Sequence, residues 1–572
     1  MKSFLFSDKT AVRPLLHLRR LALLAALLLA PWLRLPVRAQ ALPTFTYAGV
    51  FGEGTIGFGS GLRIAQTVQD AAGNSYVTGY FRDRATFGTI LLQGPGNNMF
   101  VAKRDPAGTV LWAVGIGRAS GNGIAVDASG NVFVTGGFTG TTSFGSFSLT
   151  SNSVNAPSAG DIFAAKLDPT GVFLWAVRAG GNSGGRGDGI VVDAAGNSYV
   201  CGRYDSAFGT ADFGPFRLTN NNNTSDIFVA KLSPAGIFLW ATGGGGTQDD
   251  DAFGIALDAN GSTYVTGCVR GFGVVARFGT ASVTCAGDED IVVVKVSPSG
   301  VFQWAAIGGG MTADVGRRIA VDSQGVVHVV GYIMSARPVF GPIMLSHPNQ
   351  GTFNAFVATL TPAGTWQWVV QGGGPGDDYA YDLVVDAAGN TYAVGSCSYQ
   401  ATFGGTVLNT ARDQDVLVCK IDPAGTYLWA LQAGGPGDDQ ATAAWLKPNG
   451  HLVLAGTTLS SLAVFGNQGV AGNPNADTGF LATLAEGPLS VTSARSVPAL
   501  TLWPSPARSG AALHVSGLLA RQPVEVRDAL GRLVLAGPTP VAGAVELVLP
   551  AGLGSGVYFV RSGPQVRRFV IQ

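Results

Sequence analysis

The chain reads as an all-β protein: a seven-bladed β-propeller of four-stranded antiparallel blades, closed by an N-terminal strand and followed by a small β-sandwich domain. Three observations predict this. First, a motif whose clearest copy is Gly123-Ile124-Ala125-Val126-Asp127-Ala128-Ser129-Gly130-Asn131 recurs seven times at intervals of 57 to 66 residues. Its Asp falls at Asp70, Asp127, Asp193, Asp258, Asp322 and Asp386, with Lys447 in the last copy. Second, each copy carries four short apolar runs bounded by Gly, Pro, Asn or Asp, in the second copy 124–127, 132–136, 162–167 and 172–177. Third, no stretch beyond the N-terminus sustains a 3.6-residue apolar period. A long fixed period signals one supersecondary unit in an array, and four antiparallel strands per unit make a propeller blade.

In chain order, Lys2, Lys9, Arg13, Arg19 and Arg20 precede the apolar run Leu21–Ala30, and Val37-Arg38-Ala39 offers small residues to a signal peptidase. Residues 1–39 therefore read as a secretory signal peptide. Ten apolar residues are too few to span a bilayer, so the mature chain is expected to hold no transmembrane segment. Within each repeat, Asp127-Ala-Ser-Gly130-Asn131 and Asp168-Pro169-Thr-Gly171 are turn sequences. The Asp side chain can bond backbone N–H groups ahead of it, and the Gly can take positive φ. Short turns of this kind make hairpins. The longer connection between strands two and three always contains a Phe followed by Gly, at Phe87, Phe144, Phe213, Phe278, Phe340, Phe403 and Phe465, expected to pack between blades.

The fourth strand carries a Trp at Trp112, Trp175, Trp240, Trp304, Trp368 and Trp429, six copies for seven repeats. The missing strand is found at the other end. Phe45-Thr46-Tyr47-Ala48 resembles Phe173-Leu174-Trp175-Ala176, with Tyr47 in the Trp position. The N-terminal strand is expected to complete the last blade, because an unfinished blade leaves an open edge. The propeller then spans 40–486, a linker 487–499, and a separate β-domain 500–572.

These repeats, with Gly-Ile-Ala-Val-Asp-x-x-Gly-Asn, Tyr/Phe-Val-Thr-Gly, Asp-Ile-Phe-Val-Ala-Lys-Leu and Asp-Pro-x-Gly-x-x-x-Trp, resemble the SBBP-type β-propeller repeat family. The tail has Leu502-Trp503-Pro504-Ser505-Pro506, Asp528-Ala529-Leu530-Gly531-Arg532, Gly556-Val557-Tyr558-Phe559-Val560-Arg561 and Arg567-Arg568-Phe569-Val570. It resembles the type A sorting domain of the type IX secretion system. That resemblance implies a Gram-negative cell and the type IX machinery as a partner. It also implies passage across the outer membrane, then release or attachment at the cell surface after removal of the tail.

Lysines plus arginines equal aspartates plus glutamates, 36 against 36, and only 13% of residues are charged. Such a balance gives no electrostatic footprint for nucleic acid. The apolar runs are too short for a membrane β-barrel. Of the five cysteines, Cys268 with Cys285 and Cys397 with Cys419 have spacings that would permit bridges, and Cys201 reads as a small buried residue. His328, His347 and His451 lie in no nucleophile or metal motif and read as solvated or structural.

The acidic runs are the one metal-like signal. Asp250, Asp314, Asp378 and Asp439 each stand eight residues before the repeat Asp or its replacement, candidate calcium ligands weighed against hydrogen bonding within Gly-rich loops. No other cofactor is indicated. Lys103, Lys166, Lys231, Lys295 and Lys420 read as one solvated lysine per blade on outer strands. The innermost strands, Gly-Ile-Ala-Val-Asp and its copies, are expected to be small and apolar apart from Arg318 and Asp382, which weighs against a channel-centred enzyme. The reading is a non-catalytic scaffold for adhesion or for binding an unidentified glycan or protein, displayed through loops such as 139–160 and 220–224. The alternative is a secreted polysaccharide hydrolase or lyase with a loop-built carboxylate pair.

Overall fold

The computed structural model describes residues 42–54, 61–153, 160–205, 210–219, 224–347, 351–410, 413–486, 500–518, 523–537, 543–562 and 565–572. The signal peptide, the linker and parts of both named loops lie outside the described residues. Among the described residues every regular element is a strand, and no helix is long and apolar enough to cross a membrane. The chain divides into two compact units, Leu42–Glu486 and a second that contains the C-terminal tail.

The larger unit is propeller-like, built of four-stranded antiparallel meanders. In repeat 2 these are Ala119–Val126, Val132–Phe138, Asp161–Leu167 and Phe173–Gly181, paired in that order. The same order holds from repeat 1, which starts at Leu62–Gln69, to repeat 6, which ends at Tyr427–Ala433. Repeat 7 supplies Asp439–Leu446, Leu452–Thr458 and Thr478–Ala485, and its fourth strand is Thr44–Gly54. Tyr47 pairs with Thr483 as Trp175 pairs with Lys166, and Phe45 pairs with Leu484 as Phe173 pairs with Leu167.

The turns are those that the Asp residues encode. Asp127 Oδ1 accepts from the N–H groups of Ser129 and Asn131, both at 2.9 Å, and Gly130 takes φ +79°. The connection from strand two to strand three holds more than a loop. In repeat 2 it forms a hairpin, Thr141–Phe144 with Phe147–Thr150. The Phe-Gly pair is its turn: Gly145 stands first in a two-residue loop at φ +60°, as a type II′ turn requires. These hairpins dock on the outer strand of the preceding repeat, Asp212 against Gly180 and Phe340 against Gly308. Phe144 sits in a core shared by repeats 1 and 2. Repeats 7 and 1 share a core of the same kind, with Phe51, Trp445 and Leu481 against Leu62, Phe87 and Phe100.

Each innermost strand contains a β-bulge opposite the Gly of the Val-Thr-Gly segment, as between Gly121 and Gly123. The Gly is required because the bulged strand's carbonyl crowds it. A Cβ on Gly267 would lie 1.8 Å from the Asp251 carbonyl oxygen. Gly267→Ala is therefore expected to destabilise by about 3 kcal/mol in a denaturant titration, since the obstacle is backbone and cannot rotate away.

The repeat lysines are not on outer strands. They occupy the third strands, where Lys166 and Lys420 are buried. Lys166 pairs with Asp127 at 3.7 Å and stands over the Phe133 ring; Lys420 pairs with Asp386 at 3.5 Å and with Glu486 at 2.8 Å. Each repeat Trp reaches the next repeat: Trp175 Nε1 donates to the Pro234 carbonyl at 3.0 Å. Where repeat 7 lacks that turn, Trp429 donates to Glu486 instead.

The cysteines are all free and buried. Cys419 pairs in register with Ala393, four residues from Cys397, too far for a bridge. Cys268 and Cys285 belong to different hydrophobic clusters. His328 and His347 are buried: His328 Nδ1 lies 2.8 Å from Thr391 Oγ1. The tail described from Leu500 onward forms a three-stranded and a four-stranded antiparallel sheet around Leu513, Val515, Val526, Val560 and Phe569. Its Asp528 caps a hairpin turn through the N–H groups of Leu530 and Arg532.

Candidate functional site

The bulge places one extra residue per repeat outside the ladder, always five positions before the repeat Asp or Lys447. These residues are Ala65, Asn122, Asp188, Phe253, Arg317, Tyr381 and Thr442. All seven line a single cavity of about 400 Å³, together with Arg63, Ile64, Tyr80, Arg186, Arg318 and Gln440. The innermost strands lie side by side, and Leu62–Gln69 contacts both Ala119–Val126 and Asp439–Leu446. The cavity thus lies where every repeat contributes its first strand.

This corrects the expectation of an apolar interior relieved only by Arg318 and Asp382. The apolar runs begin at the Ile of each motif, but the strands begin up to five residues earlier. That polar half carries Arg63, Arg186, Asp188 and Arg317. The small and apolar half does exist: Ile190, Ile255, Ile319 and Leu383 line a second cavity of about 320 Å³, which Arg318 and Asp382 also border.

The charges differ in how well they are met. Arg186 Nε bonds Asp188 at 3.0 Å and a second nitrogen lies 3.7 Å from Asp251. Burial pushes the Asp188 carboxyl up, and Arg186 only partly offsets it. Arg318 bonds the Phe253 carbonyl at 2.7 Å and lies 3.7 Å from Asp382. Burial raises Asp382 to about 6 and lowers Arg318. Arg63 meets Asp477 at 3.7 Å with half its side chain exposed. Arg317 stacks its guanidinium 4.5 Å from the Phe253 ring centroid and, among the described residues, has no carboxylate within ion-pair distance. Four guanidinium groups and one carboxylate thus face one cavity in a chain of zero formal net charge. Such a site offers donors to an anion.

The four acidic candidates are not brought together. Asp250, Asp314, Asp378 and Asp439 are fully buried at four different junctions between repeats. Each accepts from the backbone N–H four residues earlier, Gly246, Gly310, Gly374 and Gly435, at 2.5 to 2.8 Å. Asp314 also accepts from Met334 and Ser335. Among the described residues no group of three or more His, Cys, Asp or Glu side chains is arranged to hold a metal ion.

No protein-family model matches the chain. It is 27% identical over 356 residues to an uncharacterized WD repeat-containing protein of Acanthamoeba polyphaga mimivirus, a match that covers 52% of this chain. The chain spans about a quarter, 26%, of that relative's length. Among solved structures it is similar to the Dos1 propeller, at 9% identity and a TM-score of 0.41, covering 78% of this chain and 95% of that one. It is also similar to PorZ, a surface component of the type IX secretion system of Porphyromonas gingivalis. There the identity is 10% and the TM-score 0.19, over 91% of this chain and 100% of that one.

Proposed function

We propose that the chain is a closed seven-bladed β-propeller of SBBP type that acts as a non-catalytic binding scaffold for a glycan or protein. A Gram-negative cell exports it and displays it at its surface or releases it. In this reading residues 1–39 direct export, 40–486 form the propeller, 487–499 link, and 500–572 engage the type IX secretion machinery. The observation that carries the binding role is the contrast between frame and cavity. Asp turns, lysines, Trp side chains and bulge glycines repeat from unit to unit, and their polar atoms are taken up in joining the frame. At the one bulge position the seven residues all differ, and they share a cavity. A frame held constant around a set of differing side chains is the arrangement expected of recognition, where orientation comes from a few convergent polar groups.

The reading needs no cofactor. A glycan array run beside a hydrolase and lyase screen on the mature chain tests it. Saturable binding without turnover is the expected result; turnover in the absence of metal or added partner would overturn it.

A further inference from the structure

We infer that the bulge-lined cavity binds a small hydroxylated carboxylate, a sugar acid such as a uronate; this rests on the scaffold reading and names its ligand class. Arg317 carries the inference. Its face is covered by Phe253, it has no carboxylate within ion-pair distance among the described residues and feels Asp188 only from farther off, and it opens on the cavity from the innermost strand. A guanidinium so stacked presents its N–H edge, whose fork geometry matches a carboxylate. Asp188, the one carboxylate of the lining, is engaged by Arg186, so it does not neutralise the site.

The remainder of the ligand is defined by the rest of the lining. Ala65 and Thr442 are small and leave the volume; Asn122 and Gln440 donate their amide N–H groups to the Gly187 carbonyl and to Gln414, which leaves their amide oxygens to accept from ring hydroxyls near Tyr381. A volume of about 400 Å³ is at the scale of small-ligand pockets, not of an extended chain. A simple inorganic anion would leave the amides and the far wall unused. A neutral sugar would leave Arg317 without a carboxylate at ion-pair distance.

Isothermal titration calorimetry of the mature chain with galacturonate, glucuronate, glucose and sodium sulfate tests this. Binding of at least one uronate, at least tenfold tighter than glucose and sulfate, is expected. Arg317→Met, which keeps the contact with Phe253, should weaken it at least tenfold with an unchanged melting temperature. Ala65→Leu, which fills the small side, should abolish it, and serves if Arg317→Met unfolds. A galacturonate oligosaccharide separates the sources: equal affinity assigns the terminal unit of an acidic polysaccharide, and binding of the monosaccharide alone assigns the free sugar acid. No heat with either uronate, sulfate binding as tightly, or uronate binding unaltered by both variants would overturn the inference. Glycan binding insensitive to both variants would leave the scaffold reading standing while removing this one; absence of any binding, with turnover, would remove the scaffold reading itself.

Discussion

A chain that lacks residues 42–54 is expected to have a propeller unit that melts at least 10 °C lower and to self-associate. The strand Thr44–Gly54 joins both ends of the repeat array. Its length from Thr44 to Glu53 pairs with Thr478–Ala485 of repeat 7, and Glu53 and Gly54 also pair with Thr86 and Ala85 of repeat 1. Phe51 is buried against Phe87, ring centroids 5.7 Å apart, and Phe45 meets Phe465 edge-on at 5.3 Å. Loss of one buried Phe costs about 3–5 kcal/mol. Here two aromatic contacts go with a full ladder, and the third strand of repeat 7 becomes an open edge able to pair with another chain. Size-exclusion chromatography and thermal denaturation of the truncated chain read the effect. A synthetic peptide of residues 44–54 added in trans should restore the melting temperature. A truncated monomer that melts like the intact chain would sink this account.

What could be read from the sequence follows how local the encoding interaction is. Asp127 bonds N–H groups two and four residues on, so the turn is complete within one short segment. The Tyr47 correspondence was legible for the same reason: Phe-x-Tyr-Ala repeats Phe-x-Trp-Ala, and the strand keeps that register. Interactions that cross between strands or repeats were less legible. Lys166 looks like an exposed lysine until the register sets it opposite Trp175 and beside Asp127. Gly136 is visible in Val-Thr-Gly, yet the Ser120 carbonyl that excludes a side chain there arrives from the partner strand.

The cavity was missed because hydropathy marks only the apolar half of each inner strand. Arg186 and Asp188 sit among glycines and read as loop. The signal that would have found them is positional. Five residues before each repeat Asp or Lys447 the identity changes in every copy, after a residue that stays small or aliphatic, so aligning the repeats marks the site without any structure.

The melting temperature is expected to be highest near pH 4 and to fall by roughly 10 °C by pH 8, from buried carboxyl groups that repeat at the junctions. At three junctions an Asp near the start of a third strand faces the Asp at the start of the next repeat's first strand or just before it: Asp226 with Asp250, Asp290 with Asp314, and Asp415 with Asp439. A Cβ on Gly245, Gly309 or Gly434 would touch both carboxylates of its pair within 3.0 Å. Burial, and then the neighbouring charge of its pair, raises Asp226 and Asp415 each to about 7. Burial likewise raises Asp250 to about 7 and Asp314 to about 6 against their backbone hydrogen bonds.

The sign follows from protons held by the folded state. A carboxyl raised above its unfolded value of about 3.8 contributes fully below that pH, and its contribution is lost as pH rises through 6 and 7. The turn residues Asp70 and Asp193 act oppositely: burial favours protonation, but hydrogen bonds from Asn74 and Tyr76, or Asn197 and Tyr199, outweigh it. Their contribution disappears only on acidification below 3.8, outside this window. The fourth junction points to the preferred state of the third-strand Asp. There Asn354 takes its place facing Asp378, and an amide turned to present Nδ2 supplies the donor that a protonated Asp would. Asp226→Asn and Asp415→Asn should therefore raise the melting temperature at pH 8, leave it unchanged near pH 4 and flatten the profile between. A wild-type curve that climbs toward pH 8, or Asn variants that destabilise equally at both pH values, would show these pairs to be held ionised by partners other than a proton.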